Sequence, residues 1–176
     1  MEDKFNPYSN FKIVNADFET YDFGAATFDL VYSAATIQWI PEEIAFTKCR
    51  DILKSGGTLA MFMTRSDYRS PNEALYQKIQ AVYDKYFMPQ RRYEQRFDYK
   101  NVINYGFTDF ERREYCETIE YNADDYVSHI SIYADHMTLR EPYKSKFFAG
   151  IRDAILSFGN KITLKNTMIL YLARKS

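Results

Sequence analysis

Residues Phe28–Met63 read FDLVYSAATIQWIPEEIAFTKCRDILKSGGTLAMFM and decide the fold. The run from Phe28 to Ser33 is apolar apart from one acid, which is typical of a strand buried on both faces of a parallel sheet. Pro41 suits the first turn of a helix, and Glu42 and Glu43 place negative charge at the positive end of its dipole. The stretch therefore begins as a strand followed by a helix.

The second half of the stretch completes the unit. Lys54 falls in the last predicted helical turn, and Gly56 or Gly57 can adopt the left-handed conformation that ends a helix. Thr58–Met63 is again apolar and predicts a second strand. Short parallel strands joined by a helix predict an α/β fold with a right-handed crossover. Apolar residues at helical spacing indicate the helix, namely Ala45, Cys49, Ile52 and Leu53.

Shorter patterns on both sides predict the remaining elements. Phe11–Ala16 has the pattern of a short strand, Asp17–Thr27 is a polar connection, and Thr64–Asp67 is expected to leave the sheet. Turn and capping signals predict four further helices and two late strands. The helices begin near Ser70-Pro71-Asn72-Glu73, Asp98, Asn122 (with Tyr133 and Met137 on its inner face) and Pro142, and the strands are 110–121 and Met168–Arg174.

Length, charge and cysteine content limit the class of protein. The 176 residues suit a single domain, and the net charge of -1 gives no electrostatic case for nucleic acid or an anionic membrane. No apolar run reaches the roughly 20 residues that a membrane span needs, and the N-terminus has no signal-peptide pattern. Cys49 and Cys116 lie in predicted elements, which favours reduced, buried thiols in a cytoplasmic protein.

The order of these motifs resembles a known family. Phe28–Glu43 followed by Leu53–Phe62 is similar to the central segment of class I S-adenosylmethionine-dependent methyltransferases, most of all the small-molecule group that includes trans-aconitate methyltransferase. Asn15–Phe18 matches the family's acidic motif after its third strand, and the turn at Tyr105–Phe107 and the closing strand pattern 162–175 also fit. The resemblance implies a Rossmann-like class I methyltransferase sheet with helical insertions and an antiparallel C-terminal strand.

The resemblance leaves out the family's first segment. A complete member begins with a strand and a glycine-rich turn, and then a second strand ends in an acid that binds the ribose, much as in dinucleotide sites. Only ten residues precede Phe11, and none of the six glycines forms a G-x-G pattern. We therefore expect an N-terminally truncated sheet with an open edge along Phe28–Ser33. Two copies are expected to pair there, by edge addition or by swapping the N-terminal strand; the alternative is a longer parent protein.

The resemblance also implies cofactor-binding residues. Asp17 would accept a hydrogen bond from the adenine amino group, and Phe18 would pack on the adenine ring. The backbone after the Phe28–Ser33 strand would meet the methionine amino group, and a Gln-Trp element would lie beside the cofactor. The alternative is a purely structural role, in which Asp17 caps the next turn and the aromatic residues belong to the core. The cofactor candidates are Asp17, Phe18, Ser33, Ala34, Gln38 and Trp39.

Catalytic and acceptor-binding residues are less marked, because methyl transfer from a sulfonium mainly requires close and aligned reactants. A histidine can act as a base, since its unperturbed pKa lies near 6.5. Seven residues apart on a helix, the two histidines are about 10.5 Å apart along the axis, so no metal site is predicted. The catalytic candidates are His129 and His136; the alternative is that both are ordinary surface or core histidines. The substrate candidates are Arg65, Arg91, Arg92 and Tyr133; the alternative for the arginines is a solvated loop with no substrate contact.

The sequence thus predicts a single, partial methyltransferase-like domain over residues 1–176, with helical segments at 64–105 and 122–160 on the substrate side. The expected function is methyl transfer from S-adenosylmethionine to a small-molecule acceptor, carried by a longer parent chain or a composite dimer. The main alternative is a non-catalytic remnant that acts as an oligomerisation or binding module. Another nucleotide-binding α/β enzyme is disfavoured, because no phosphate-binding glycine loop is present.

Overall fold

The computed structural model describes residues 10–88 and 97–176. Within them one four-stranded sheet has the strand order β1-β2-β4-β3, so the last strand in sequence lies between the second and the third. Five α-helices and two short 3₁₀ helices, Ile37–Trp39 and Tyr99–Tyr105, accompany these strands. The mixed α/β prediction is therefore confirmed. The strands are β1 (Phe28–Ala34), β2 (Leu53–Asp67), β3 (Phe107–Tyr121) and β4 (Ile162–Lys175), and the helices are α1 (Glu42–Ile52), α2 (Glu73–Tyr86), α3 (Ala123–Ser131), α4 (Ala134–Met137) and α5 (Tyr143–Leu156).

The chain divides into two compact units. The first contains the described parts of Met1–Ala60 together with Phe97–Phe110 and Leu172–Ser176. The second contains the described parts of Met61–Arg96 together with Glu111–Tyr171. No helix in the described residues is long and apolar enough to cross a membrane.

The first unit is organised around α1. Phe46 is fully buried on this helix, and its ring lies 4.9 Å from the ring of Phe97 and 5.3 Å from that of Tyr105. At the start of the helix, the Glu42 carboxylate accepts hydrogen bonds from the Asp98 backbone N–H at 2.6 Å and the Asn101 side chain at 2.8 Å. Apolar burial and a charge-assisted cap together hold the 3₁₀ helix Tyr99–Tyr105 against α1.

The second unit has its own core, in which α5 packs against both α2 and α3. Asn72 caps α2 by accepting from the Leu75 backbone N–H, and Asn122 caps α3 by accepting from that of Asp125. The Asn122 cap lies where that residue predicted a helix start. The capping box predicted at Ser70, with Pro71 as the first helical residue, was two residues early, because Asn72 is the cap and α2 begins at Glu73. The core consists of Leu75, Ile79, Ala123, Tyr126, Ile130, Leu139, Phe147, Ile151, Ala154, Ile155, Ile162 and Leu164.

One predicted strand is absent. Phe11–Ala16 forms no strand, and the side chains of Phe11 and Val14 are 49% and 43% exposed. A strand needs a neighbour to accept and donate its backbone hydrogen bonds, and no strand among the described residues lies beside this segment. The local apolar pattern was therefore not sufficient to predict a strand at Phe11–Ala16.

The end of α1 also differs from the prediction. The helix ends at Ile52, and Leu53 already has extended dihedral angles, so Lys54 and Gly56 belong to β2. Gly56 does adopt a left-handed φ of +73°, but inside the strand rather than as a helix cap. An ideal Cβ on Gly57 would lie 2.9 Å from the Lys54 carbonyl oxygen and 3.3 Å from that of Asp29, so this position requires glycine.

Several further expectations are corrected. β1 is not buried on both faces, since Leu30 and Tyr32 are 54% and 69% exposed, because β1 is an edge strand. β2 continues through Thr64–Asp67 instead of leaving the sheet at Thr64. The helix after Asn122 ends at Ser131, so Tyr133 and Met137 do not continue its inner face. Cys116 is exposed because β3 is the other edge strand. The antiparallel direction of the last strand stays a prediction.

Candidate functional site

A cavity of about 350 Å³ lies at the end of β1 in the first unit. The strand contributes four consecutive lining residues, 31–34, and the segment that follows contributes Thr36 and Ile37. Phe18, Ile40 and Cys49 complete the lining. The lining is thus mainly apolar, and its polar side-chain groups are the hydroxyls of Tyr32, Ser33 and Thr36 and the Cys49 thiol.

The turn after β1 is shaped by its own short side chains. The Ser33 hydroxyl oxygen accepts a hydrogen bond from the Ile37 backbone N–H at 2.9 Å. The Thr36 hydroxyl donates to the Ala34 carbonyl oxygen, also at 2.9 Å. Ala35 between them has a positive φ of 51°, which is uncommon for a residue with a side chain. The chain is therefore bent sharply at the end of β1, and this bend forms one wall of the cavity.

Asp17 and Phe18 are placed differently, although they are neighbours in sequence. Asp17 is exposed, and its carboxylate accepts from the Glu19 backbone N–H at 2.7 Å, so it caps the following turn as the structural alternative expected. Phe18 is half-buried and lines the cavity.

Lys48 fixes the loop that carries Phe18. Its ammonium donates to the Glu19 carbonyl oxygen at 3.0 Å and lies 5.5 Å from the Phe18 ring centroid and 5.6 Å from that of Phe23. These cation–π contacts and the hydrogen bond hold the loop onto α1.

Gln38 and Trp39 do not line the cavity. Gln38 accepts a hydrogen bond from the Tyr99 hydroxyl at 3.3 Å, and Trp39 is 50% exposed. Trp39 is therefore not a core residue. Both lie on the 3₁₀ helix whose first residue, Ile37, is part of the cavity lining.

Cys49 forms the buried side of the cavity. Its side chain is 2% exposed, and burial raises the pKa of the thiol to about 12. Neither thiol is in a disulfide, and Cys116 is exposed on β3. The two cysteines should therefore differ strongly in reactivity, because only the accessible thiolate reacts readily.

We expect Ellman's reagent to modify Cys116 in the native protein and Cys49 only after unfolding in denaturant. The matched variant Cys116→Ser should show no fast reaction in the native state. Because the pKa of Cys49 is raised on folding, its contribution to stability is intact below pH 9 and decreases as the pH rises from 9.0 towards 12. A fast native reaction of Cys116→Ser would contradict the burial of Cys49.

A second cavity of about 600 Å³ lies elsewhere in the first unit, between the loop 20–25 and α1. It is larger, but none of the residues predicted from the sequence to bind the cofactor lines it. The smaller cavity is therefore the candidate cofactor site.

The two histidines lie in the second unit and differ in environment. His136 is 4% exposed; its Nδ1 is 2.7 Å from Asp135 Oδ1 and its Nε2 is 2.9 Å from the Tyr83 hydroxyl. A carboxylate only accepts, so Nδ1 carries a proton, and in that tautomer Nε2 accepts a hydrogen bond from the Tyr83 hydroxyl. His129 is half-buried and is hydrogen-bonded to the Tyr133 hydroxyl at 2.9 Å.

The predicted substrate residues are scattered. Arg65 is exposed on β2, and Tyr133 is 39% exposed and joined to His129. Arg91 and Arg92 lie outside the described residues. The structure thus brings together Phe18, Ser33 and Ala34 in one cavity and, separately, His129 with Tyr133.

Sequence reasoning missed part of the cavity lining. Val31 and Tyr32 directly precede Ser33 in the predicted strand, so their position in the sequence could have identified them as lining residues. Ile40 and Cys49 gave no such signal, because their place beside the cavity depends on how α1 packs.

The chain is similar to proteins of known family and structure. Residues 2–61 match a family model described as a methyltransferase domain, and this range includes all six cofactor candidates. No curated protein matches the chain. Among solved structures, a candidate methyltransferase from Bacillus halodurans has a TM-score of 0.51 at 17% identity, covering 99% of this chain and 85% of that protein.

Two further structures have the same fold. The YcgJ protein from Bacillus subtilis has a TM-score of 0.57 at 12% identity, covering 98% of this chain and 74% of that protein. A candidate type II methyltransferase from Anaeromyxobacter dehalogenans has a TM-score of 0.51 at 14% identity, covering 86% and 65%. The domain match in residues 2–61 and these structural similarities show that the chain has a mixed α/β fold similar to that of class I methyltransferases.

Proposed function

We propose that the cavity at the end of β1 binds the adenosine part of S-adenosylmethionine and that the protein supports methyl transfer to a small-molecule acceptor. The observation that carries the proposal is the meeting of Phe18, Ser33 and Ala34 around one cavity inside the range that matches a methyltransferase domain.

The residues present fit such a cofactor. An adenine ring has apolar faces, and the cavity offers the Phe18 ring and the aliphatic side chains of Val31 and Ile37. Asp17 directly precedes Phe18 in the same loop, and its Oδ1 accepts a hydrogen bond from the Glu19 backbone N–H. A carboxylate has about four acceptor positions, so Asp17 retains capacity for an amino group.

The residues of this chain would then bind and orient rather than react. S-adenosylmethionine supplies an activated methyl group and becomes S-adenosylhomocysteine when the methyl has left. Phe18 and Asp17 would fix the adenine, and the bent backbone at Ser33 and Ala34 would hold the amino acid part. Holding two reactants in line is worth effective concentrations of about 10⁵–10⁸ M, which is the main requirement of this reaction.

The proposed function also includes a site for the methyl acceptor. We place it among the helical segments 64–105 and 122–160, with an acidic acceptor of the trans-aconitate type favoured by the arginines Arg65, Arg91 and Arg92. His129, with Tyr133 beside it, is better placed than His136 to take a proton, because both ring nitrogens of His136 are already hydrogen-bonded inside the core.

The proposed function includes the association state and the location of the protein. Two copies would associate through the edge strand β1. Two cysteines without a disulfide favour a cytoplasmic location.

Calorimetry with S-adenosylhomocysteine tests the cofactor proposal. We expect micromolar binding by the 176-residue chain. Phe18→Ala should weaken it about tenfold, because it removes the aromatic contact with the purine. The matched control is Phe11→Ala, since Phe11 is 49% exposed and does not line the cavity.

No binding at millimolar ligand would reject the cofactor site and favour a non-catalytic oligomerisation or binding module. Equal losses of affinity in Phe18→Ala and Phe11→Ala would place the ligand elsewhere. Adenosine and NAD serve as specificity controls, and both should bind more weakly than S-adenosylhomocysteine.

A further inference from the structure

The loop of residues 17–25 crosses an opening before the chain reaches β1. Residues 20–25 line the larger cavity of about 600 Å³ from one side, and α1 lines it from the other. Side chains therefore do not pack continuously between this loop and α1. The position of Phe18, which lines the smaller cavity, depends on a few specific contacts.

The end of the loop that leads into β1 is fixed by its backbone. The N–H groups of Ala26 and Thr27 donate to the carbonyl oxygens of Asp51 and Ile52 at 2.9 and 2.8 Å. These bonds involve no side chain and lie at the C-terminal end of α1. They do not by themselves fix Phe18, which lies near the other end of the loop.

The beginning of the loop is held by the half-buried side chain of Lys48. Its ammonium donates to the Glu19 carbonyl oxygen at 3.0 Å and lies 5.5 Å from the ring centroid of Phe18 and 5.6 Å from that of Phe23. The two ring centroids are 5.7 Å apart, so one cation contacts a pair of neighbouring aromatic side chains. Such a contact contributes more when the cation is partly withdrawn from water.

Lys48 projects from a well-anchored helix. Phe46, two residues earlier on α1, is fully buried, and Cys49, the next residue, lines the smaller cavity. Successive residues on a helix point about 100° apart, so Lys48 faces the loop and the larger cavity while Cys49 faces the smaller one. The helix α1 thus contributes to both cavities, and Lys48 links it to Phe18.

We infer that Lys48 is a positioning residue for the proposed cofactor: it keeps Phe18 in the wall of the smaller cavity, although it does not line that cavity itself. The inference rests on the proposed function. A ligand binds only the fraction of molecules in which its site is formed, so the apparent affinity falls in proportion when Phe18 is released. The positive charge of Lys48 therefore influences cofactor affinity from outside the site.

Calorimetry with S-adenosylhomocysteine tests this role. Lys48→Met keeps the aliphatic stem and removes the ammonium, and we expect it to lower the affinity about tenfold. Lys48→Arg should restore most of the affinity, because a guanidinium also lies over aromatic rings and donates hydrogen bonds. The matched control is Lys78→Met in the second unit, which should leave the affinity unchanged. Lys78 has the same two kinds of contact, since its ammonium donates to Ser157 Oγ at 2.6 Å and lies 5.8 Å from the Phe158 ring centroid.

The thiol of Cys49 reports the position of Phe18 without any cofactor, because both residues line the same cavity. In the Cys116→Ser background, adding Lys48→Met should speed the reaction of Ellman's reagent with native Cys49 by about tenfold, since a displaced ring opens a path to the thiol. Loss of a neighbouring lysine charge would by itself slow the reaction, because nearby cations favour the thiolate. Adding Lys78→Met instead should leave the rate unchanged, which separates release of the loop from a general loss of stability.

Unchanged affinity in Lys48→Met would overturn the inference and leave the proposed function intact. So would an affinity loss that Lys48→Arg does not restore, or one that Lys78→Met shares. If the wild-type chain binds no S-adenosylhomocysteine at millimolar ligand, the proposed function fails together with the cofactor role of Lys48. The thiol rates then still decide whether Lys48 holds the loop, and equal rates with and without Lys48→Met would show that it does not.

Discussion

Replacing His136 with alanine is expected to lower the free energy of unfolding by about 3 kcal/mol or more, the largest loss that we predict for one side chain. The ring is buried and joins Tyr83 to Asp135. Its centroid lies 4.7 Å from that of Phe87 and 5.4 Å from that of Phe147. The substitution would leave a cavity among these rings.

It would also leave the Tyr83 hydroxyl without its hydrogen-bond acceptor. Burial already raises the pKa of Tyr83, so this phenol stays neutral and its O–H needs a hydrogen-bond acceptor. An unsatisfied buried donor costs about 1–3 kcal/mol, in addition to the cost of the lost packing.

Urea denaturation followed by circular dichroism measures this effect. The matched control is His129→Ala, expected to cost about 1 kcal/mol, because His129 is only half-buried and loses one hydrogen bond, with Tyr133. Equal losses in the two variants would show that the Tyr83–His136–Asp135 network does not stabilise the second unit.

The second large effect is expected for Gly57→Ala, at about 2–3 kcal/mol of unfolding free energy. The new Cβ would meet the carbonyl oxygens of Lys54 and Asp29 at 2.9 and 3.3 Å. Both are backbone atoms, the first on β2 itself and the second on β1, so relieving the clash requires a change in the backbone of β2 as well as a shift of β1. Thermal and urea unfolding should both register the change.

Gly56→Ala is the matched control at the neighbouring position. An added Cβ there has nothing within 4 Å, so only the positive φ of +73° is unfavourable, at about 1–2 kcal/mol. If Gly57→Ala were no more destabilising than Gly56→Ala, the close approach of the Lys54 and Asp29 carbonyl oxygens to Gly57 would be contradicted.

Local patterns predicted much of the fold. The order of β1, α1 and β2 follows from apolar periodicity and from Pro41 and the acids after it, and these signals act within a few residues. Asn122 predicted a helix start for the same reason, since a cap forms with a backbone N–H only a few residues later. The start predicted at Ser70 and Pro71 was two residues early, because Asn72 is the residue that caps α2.

Features that depend on distant partners were not predictable. Phe11–Ala16 has a strand pattern, but a strand forms only where a neighbouring strand accepts its hydrogen bonds. In the candidate site, Phe18, Ser33 and Ala34 were named from the resemblance, whereas Cys49 joined them only through the packing of α1. The hydrogen bond between His136 and Tyr83 joins residues 53 positions apart in the sequence, so no local sequence pattern could predict it.

The charged edge strand β3 has a consequence for the behaviour of the protein at high concentration. Its ion pairs Arg113–Glu111 and Arg112–Glu114 would have to be broken or desolvated before a strand of another molecule could add to β3. Growth into fibres through this edge should therefore be unfavourable, and added salt, which weakens exposed ion pairs, should make it less so.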